Sequence, residues 1–181
     1  MAGRLEHLIS GINEEMLAKI QENQKTKENL GISTEEAENT AKMVALAAIK
    51  YGDLSNQASK DYIFDIDRFT SFEGNTGPYI LYTIVRIKSL LAKYSQNGGS
   101  VTEKGEAEKL MTPDSRSEIN LYLTLAKFGD MMEAAYNEKA PHKICQFIYE
   151  LSENFNHFYH ENSILANENE EQKASYIQLL I

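Results

Sequence analysis

Two aromatic and two basic residues fall on one side of a predicted helix between residues 76 and 95. At about 100° per residue, Tyr79, Tyr82, Arg86 and Lys93 cluster on a face separate from the apolar stripe of that helix. The apolar stripe, predicted to face the core, consists of Ile80, Ile84, Ile87 and Leu91. Aromatic rings beside positive charge suit unpaired RNA bases and their phosphates. A second interpretation stays open, in which both tyrosines are half-buried packing residues.

A glycine-rich loop precedes this helix. It runs from Gly74 through Asn75 and Thr76 to Gly77, and Pro78 follows. The glycines permit positive φ angles and close approach of another backbone, and proline fits the first turn of a helix. A loop that leads into a helix N-terminus also presents N–H groups suited to a phosphate, although such loops occur in proteins without a ligand. These four loop residues are therefore candidate binding residues.

Two pairs of potential metal ligands lie on a later predicted helix. His142 and Cys145 are one turn apart, as are His157 and His160. About twelve residues of continuous helix separate the two pairs, which is roughly 18 Å, so they cannot ligate one ion. Two-ligand half-sites are weak, and no metal site is predicted. The sequence also lacks a nucleophile elbow and a P-loop, so no catalytic residue is predicted.

The elements that would position these residues are helical. Apolar periodicity predicts helices over about 5–24, 76–95, 115–127, 141–160 and 167–181. Ser33 or Thr34, followed by Glu36, is a capping signature for a further helix. Only residues 61–65, which are short and aromatic, look strand-like. The predicted fold class is therefore all-α, a helical bundle with one short strand-like segment near 61–65.

Composition bounds the function classes. The 181 residues suffice for one domain, or one with an appendage, and for a buried core. A net charge of −9 argues against broad binding to nucleic acid or anionic membrane, though not against a local basic patch. No carboxylate occurs between Glu73 and Glu103. A single cysteine, no signal peptide and no membrane-spanning run predict a soluble, cytoplasmic chain.

Three segments resemble arginyl-tRNA synthetases. They are AAIKYGDLSN (47–56), the stretch from Asp61 to Ile87, and FNHFYHENSIL (155–165). The loop from Glu73 to Tyr79 and the tyrosine-containing helix after it form the most specific part of the match. The resemblance implies that residues 1–70 are the C-terminal end of a catalytic domain with a helical connector. It implies that residues 71–181 are a helical anticodon-binding domain, truncated at its C-terminus.

The resemblance also implies which residues contact tRNA. By position, Tyr79 and Tyr82 would contact the anticodon region, with Phe155 and Tyr159 as a later pair. The loop 74–77 would lie at the tRNA-facing junction. The apolar periodicity of the later helix places Phe155 near the middle of its stripe, so Phe155 is expected to pack, whereas Tyr159 lies nearer the edge.

The ATP-binding signatures of class I synthetases, His-Ile-Gly-His and Lys-Met-Ser-Lys-Ser, do not occur in the sequence. The chain is therefore expected to be non-catalytic alone, with no cofactor of its own. The resemblance implies that its partner is tRNA, and the chain is expected to be a monomer. In the intact enzyme that the resemblance implies, ATP and Mg²⁺ would support ligation of arginine to its tRNA. The alternative is a helical protein-interaction module with no RNA partner.

Overall fold

The computed structural model describes residues 2–26, 33–99 and 110–181. Within these ranges the chain forms eight helices and no β-strand. The helices are α1 (Ala2–Thr26), α2 (Thr34–Leu54), α3 (Ile66–Phe69), α4 (Gly77–Gln96), α5 (Arg116–Ala126), α6 (Phe128–Asn137), α7 (Pro141–Glu161) and α8 (Glu170–Leu179). The prediction of an all-α fold is confirmed.

The segment 61–65, predicted to be strand-like, is irregular. No partner strand exists within the described ranges, so its backbone has nothing to form a ladder with. Its aromatic residues pack individually instead, and Phe64 stacks on Phe69 with ring centroids 4.5 Å apart. Asp65 then caps α3 through its side chain. The aromatic residues of this segment therefore make ring contacts with Phe69 and no strand pairing.

Helix α2 begins at the predicted capping signature, with Ser33 as its N-cap. Ser33 Oγ accepts the Glu36 N–H (3.2 Å), and Glu36 Oε2 accepts the Ser33 N–H (2.9 Å). These hydrogen bonds hold the pKa of Glu36 below its usual range. The start of α2 thus follows from two residues three positions apart in the sequence.

The chain divides into two compact units, and the division falls inside α4, α6 and α7. The first unit comprises Met1–Tyr82 and Ala135–Cys145. Its core lies between α1 and α2, where small residues of α2 allow close approach. The buried members are Ile12, Met16, Ala41, Val44 and Ala45.

The second unit comprises Thr83–Ala134 and Gln146–Ile181. Its core joins one face of α7 to residues of α4, α5 and α8. The buried members are Leu90, Leu121, Phe155, Phe158, Ile164, Tyr176 and Ile177. Phe158 is fully buried and meets the Tyr176 ring edge-on, with centroids 5.0 Å apart. Helices α7 and α8 contribute two buried residues each to this core.

The predicted core face of α4 is partly wrong. In the second unit Ile84 is 41% exposed, whereas Thr83 and Leu90 are buried. Ile87 and Leu91, also predicted to face the core, do pack against it. Helix α4 carries apolar residues around most of its circumference, so periodicity alone does not select which side its neighbours cover. The covered side follows Thr83, Ile87 and Leu90.

A carboxyl group is buried in the first turn of α5. Glu118 has no exposed surface, and its Oε2 accepts the Asp114 N–H (3.2 Å). Its Oε1 has no hydrogen-bond partner among the described residues. Burial raises the pKa of Glu118, and the Asp114 carboxylate adds to the rise. Folding therefore shifts the titration of this carboxyl towards its protonated form, relative to the unfolded chain.

We expect Glu118→Gln to raise the free energy of unfolding at neutral pH by about 1 kcal/mol. Folding raises the pKa of Glu118 above 4.5. The contribution of Glu118 to the free energy of unfolding is therefore fully present below pH 4.5, and it is lost as the pH rises through the folded-state pKa. Urea unfolding at several pH values should show a flatter pH dependence for the variant. Exposed Glu133→Gln is the control and should change the free energy of unfolding at neutral pH by less than about 0.5 kcal/mol. Parallel profiles for Glu118→Gln and the native chain would contradict the prediction.

Candidate nucleic-acid interface

Thr76 and Gly77 are buried and fix the start of α4. Thr76 Oγ1 donates a hydrogen bond to the Ser71 carbonyl (2.6 Å) and accepts the Tyr79 N–H (3.2 Å), so Thr76 is the N-cap. A Cβ added to Gly77 would lie 2.3 Å from the Ala47 carbonyl oxygen. The predicted close approach of another backbone is therefore confirmed, and that backbone is α2 of the same unit.

The N-terminus of α4 offers few N–H groups to a phosphate. Pro78 has none, and Thr76 already accepts the N–H of Tyr79. Gly77 is buried against α2. The anion site that the loop pattern raised is therefore not supported by the geometry of this helix start.

Gly74 and Asn75 form the exposed part of the loop. Gly74 takes a φ of 76°, the left-handed region that favours glycine. Asn75 is anchored by Tyr51, whose hydroxyl oxygen lies 2.6 Å from Asn75 Oδ1 and 2.7 Å from the Cys145 carbonyl oxygen. Because a hydroxyl has one hydrogen, both contacts are satisfied when Tyr51 donates to the carbonyl and the Asn75 amide turns its NH₂ towards Tyr51.

Sequence reasoning did not single out Tyr51 as a site residue. Its only signal was its place in the AAIKYGDLSN segment. The contacts to Asn75 and Cys145 span 24 and 94 residues of sequence, so no local pattern reveals them.

The two tyrosines of α4 differ in exposure. Tyr79 is half-buried, whereas Tyr82 is 47% exposed and lies at the end of the first segment of its unit. The packing interpretation therefore describes Tyr79 better than Tyr82. Of the two rings, Tyr82 has more surface available for stacking.

In the second unit, Lys93 is exposed as predicted, but Arg86 is half-buried and turned towards α7. Arg86 Nη1 donates to the side-chain oxygen of Asn156. The guanidinium carbon lies 4.6 Å from the centroid of the Tyr159 ring, a cation–π contact. Arg86 is therefore held by two side chains of α7, which the helical periodicity of α4 alone does not predict.

Phe155 and Tyr159, one turn apart on α7, have different environments. Phe155 is 3% exposed and belongs to the core of the second unit, which confirms that it packs. Tyr159 is half-buried and packs on the edge of that core. Their ring centroids are 6.2 Å apart, so Phe155 supports the ring that Arg86 covers.

Asn156 is a second residue that sequence reasoning missed. It is only 9% exposed, and it contacts both Arg86 and Thr83 of α4. The sequence feature that could have identified it is its position: the asparagine stands between Phe155 and Phe158, two residues of the apolar stripe of α7. Buried amides need hydrogen-bond partners, so such a position points to a polar contact across helices.

The histidine and cysteine pairs of α7 were the candidate metal ligands. Among the described residues, no group of three or more His, Cys, Asp or Glu side chains is arranged to hold a metal ion. Cys145 is buried, and burial raises the pKa of its thiol, which disfavours the reactive thiolate.

The helices of the described residues include none with the length and apolar character of a membrane span.

Comparison with known families gives two adjacent matches. Residues 80–181 match the family described as DALR anticodon binding domain. Residues 2–66 match the family described as tRNA synthetases class I (R), catalytic domain.

The chain is also similar to individual proteins. It is 65% identical over 178 residues to an arginine–tRNA ligase of Agathobacter rectalis, covering 98% of this chain and 30% of that protein. It is 45% identical over 177 residues to an arginine–tRNA ligase of Alkaliphilus oremlandii, covering 98% of this chain and 28% of that protein. The chain thus spans less than a third of the length of these relatives.

A solved structure has the same fold. The arginyl-tRNA synthetase of Thermus thermophilus superposes with a TM-score of 0.77 at 24% sequence identity. The superposition covers 97% of this chain and 28% of that one. At this identity the likeness shows the fold alone.

Proposed function

The chain belongs to the DALR anticodon-binding domain family, and on this premise we propose that it is the tRNA-binding part of an arginine–tRNA ligase. The relatives that cover nearly the whole chain support the proposal. We propose a boundary between residues 70 and 71, with the end of a catalytic domain before it and the anticodon-binding domain after it. The two family matches support this boundary because they leave only residues 67–79 between them.

The observation that carries the proposal is the Arg86–Tyr159 pair of the second unit. A planar cation lies over a half-buried aromatic ring, and Arg86 itself is half-exposed. Guanidinium planes and aromatic rings are the surfaces on which proteins stack unpaired RNA bases. Exposed Lys93 adds positive charge in a segment without carboxylates.

The remaining candidate residues take two roles in this proposal. Tyr79, Tyr82, Gly74 and Asn75 contribute surface of the first unit to RNA contact. Thr76, Gly77 and Phe155 are buried, so they hold the loop and the Tyr159 ring in place from behind.

We infer that the intact enzyme ligates arginine to its tRNA with ATP and Mg²⁺, in the cytoplasm and as a monomer. The described residues of this chain do not fit the ATP–Mg²⁺ group. No cluster of three or more potential ligands is arranged for a metal, and the helix start after the glycine-rich loop is already capped. No catalytic step is therefore assigned to this chain, whose proposed role is to bind tRNA.

Tyr82→Ala is expected to weaken binding of a transcript of arginine tRNA by about 5- to 100-fold, the effect of one lost base stack. Fluorescence anisotropy with labelled tRNA, at one fixed low salt concentration, measures the affinity. Tyr136→Ala is the matched control, since Tyr136 is an 83% exposed tyrosine of the same unit outside the proposed site. Absence of tRNA binding by the native chain would favour a protein-interaction module. Equal losses in both variants would show that Tyr82 is not a specific contact.

A further inference from the structure

We propose that Asn156 is a positioning residue that holds the Arg86 guanidinium over the Tyr159 ring and so preforms a stacking surface for an unpaired RNA base. The inference rests on the tRNA binding proposed above. It assigns to Asn156 no contact with RNA, because its effect passes through Arg86.

The arrangement joins two helices of the second unit at matching intervals. Thr83 and Arg86 are three residues apart on α4, and Asn156 and Tyr159 are three residues apart on α7. Residues at this spacing share one face of a helix. One face of α4 thus meets one face of α7. Asn156 contacts both Thr83 and Arg86, and Tyr159 contacts Arg86.

Asn156 uses both ends of its amide. Its oxygen accepts a hydrogen bond from Arg86 Nη1, and its Nδ2 donates to Thr83 Oγ1 (3.0 Å). A reversed amide would place an NH₂ against the guanidinium, which carries donors only. The charged donor therefore fixes the amide orientation, and Thr83 secures it.

Burial makes this contact hard to replace by water. Thr83 is 3% exposed and Asn156 is 9% exposed, so a lost partner would leave a polar group unsatisfied in the interior. Tyr159 is supported from behind by Phe155. The cation and the ring beneath it are thus both held from the core side.

Preorganisation is what this arrangement contributes to binding. An arginine side chain has several rotatable bonds, and ordering such a chain on binding opposes association. Because Asn156 already orders Arg86 over Tyr159 in the free chain, RNA binding does not carry the entropy cost of ordering that side chain. The alternative is that Asn156 is only a structural link between α4 and α7.

A double-mutant cycle on the full chain separates these roles, with the arginine tRNA transcript as the probe. Asn156→Ala is expected to weaken tRNA binding by about ten-fold, within the range of a lost stack. In an Arg86→Ala background, Asn156→Ala should add no further loss of affinity, because its effect passes through Arg86. Losses that add in the double variant would overturn the inference.

Asn154→Ala is the matched control for stability. Asn154 also lies on α7 and donates through Nδ2 to a threonine of another helix, Thr124 Oγ1 (2.8 Å), with no arginine in the contact. Both asparagine variants should lower the melting temperature, but only Asn156→Ala should weaken tRNA binding. Equal affinity losses, or native affinity in Asn156→Ala, would overturn the inference while leaving the proposed function intact.

Nuclear magnetic resonance reports the positioning without RNA. The side-chain protons of Arg86 should show upfield ring-current shifts from Tyr159, and Asn156→Ala should abolish them, whereas Asn154→Ala should keep them. Retention of these shifts in Asn156→Ala would overturn the positioning role. A native chain that fails to bind tRNA would overturn the proposed function, and this inference with it.

Discussion

Gly77→Ala is expected to lower the free energy of unfolding by about 3 kcal/mol, the upper end of the usual cost of overpacking. The added Cβ would lie 2.3 Å from the carbonyl oxygen of Ala47, 2.5 Å from its carbonyl carbon and 2.9 Å from the nitrogen of Ala48. All three are backbone atoms inside α2, so no side-chain rotation relieves the contact. Urea unfolding followed by circular dichroism measures the loss.

Gly11→Ala is the control for that change. Gly11 lies within α1 of the same unit, and an added Cβ would have no atom within 4 Å. Replacing a helical glycine by alanine at such a position should stabilise the chain by about 0.5–1 kcal/mol. If Gly77→Ala matched Gly11→Ala in stability, the close approach of α4 to α2 would be refuted.

Phe155→Ala is expected to lower the free energy of unfolding by about 3–5 kcal/mol, since it removes a ring from the core of the second unit. Phe128→Ala, in the same unit, is the comparison because Phe128 is 55% exposed. Its loss should be below about 1 kcal/mol, in keeping with less area removed from water. A small effect of Phe155→Ala would show that its ring is not part of the core.

Phe155→Leu tests whether the ring itself contacts RNA. Leucine keeps much of the apolar volume, so the fold should survive with a loss of about 1.5 kcal/mol. Phe155 is 3% exposed, and a leucine at this position still supports the Tyr159 ring from the core side, so tRNA affinity should stay within about two-fold of the native value. A large loss of affinity with little loss of stability would instead make Phe155 a stacking residue.

The sequence by itself determined where the longer helices lie and how α2 begins. Helix α4 occupies Gly77–Gln96 against a predicted range of 76–95, and the capping signature of Ser33 or Thr34 with Glu36 predicted the start of α2, where Ser33 is the N-cap. Helix formation and capping depend on residues within a few positions of each other, so the information is local. The packing of Phe155 was also predictable, because α7 has one well-defined apolar stripe.

The tertiary structure alone decided which surfaces are covered and what holds the candidate site. Helix α4 has apolar residues on several sides, and whether Ile84 or Thr83 is buried depends on where its neighbours lie. Arg86 is turned inward because Asn156, 70 residues away in sequence, accepts its hydrogen bond. A helical pattern specifies the spacing of side chains on a face but carries no information about the groups that another helix brings to it.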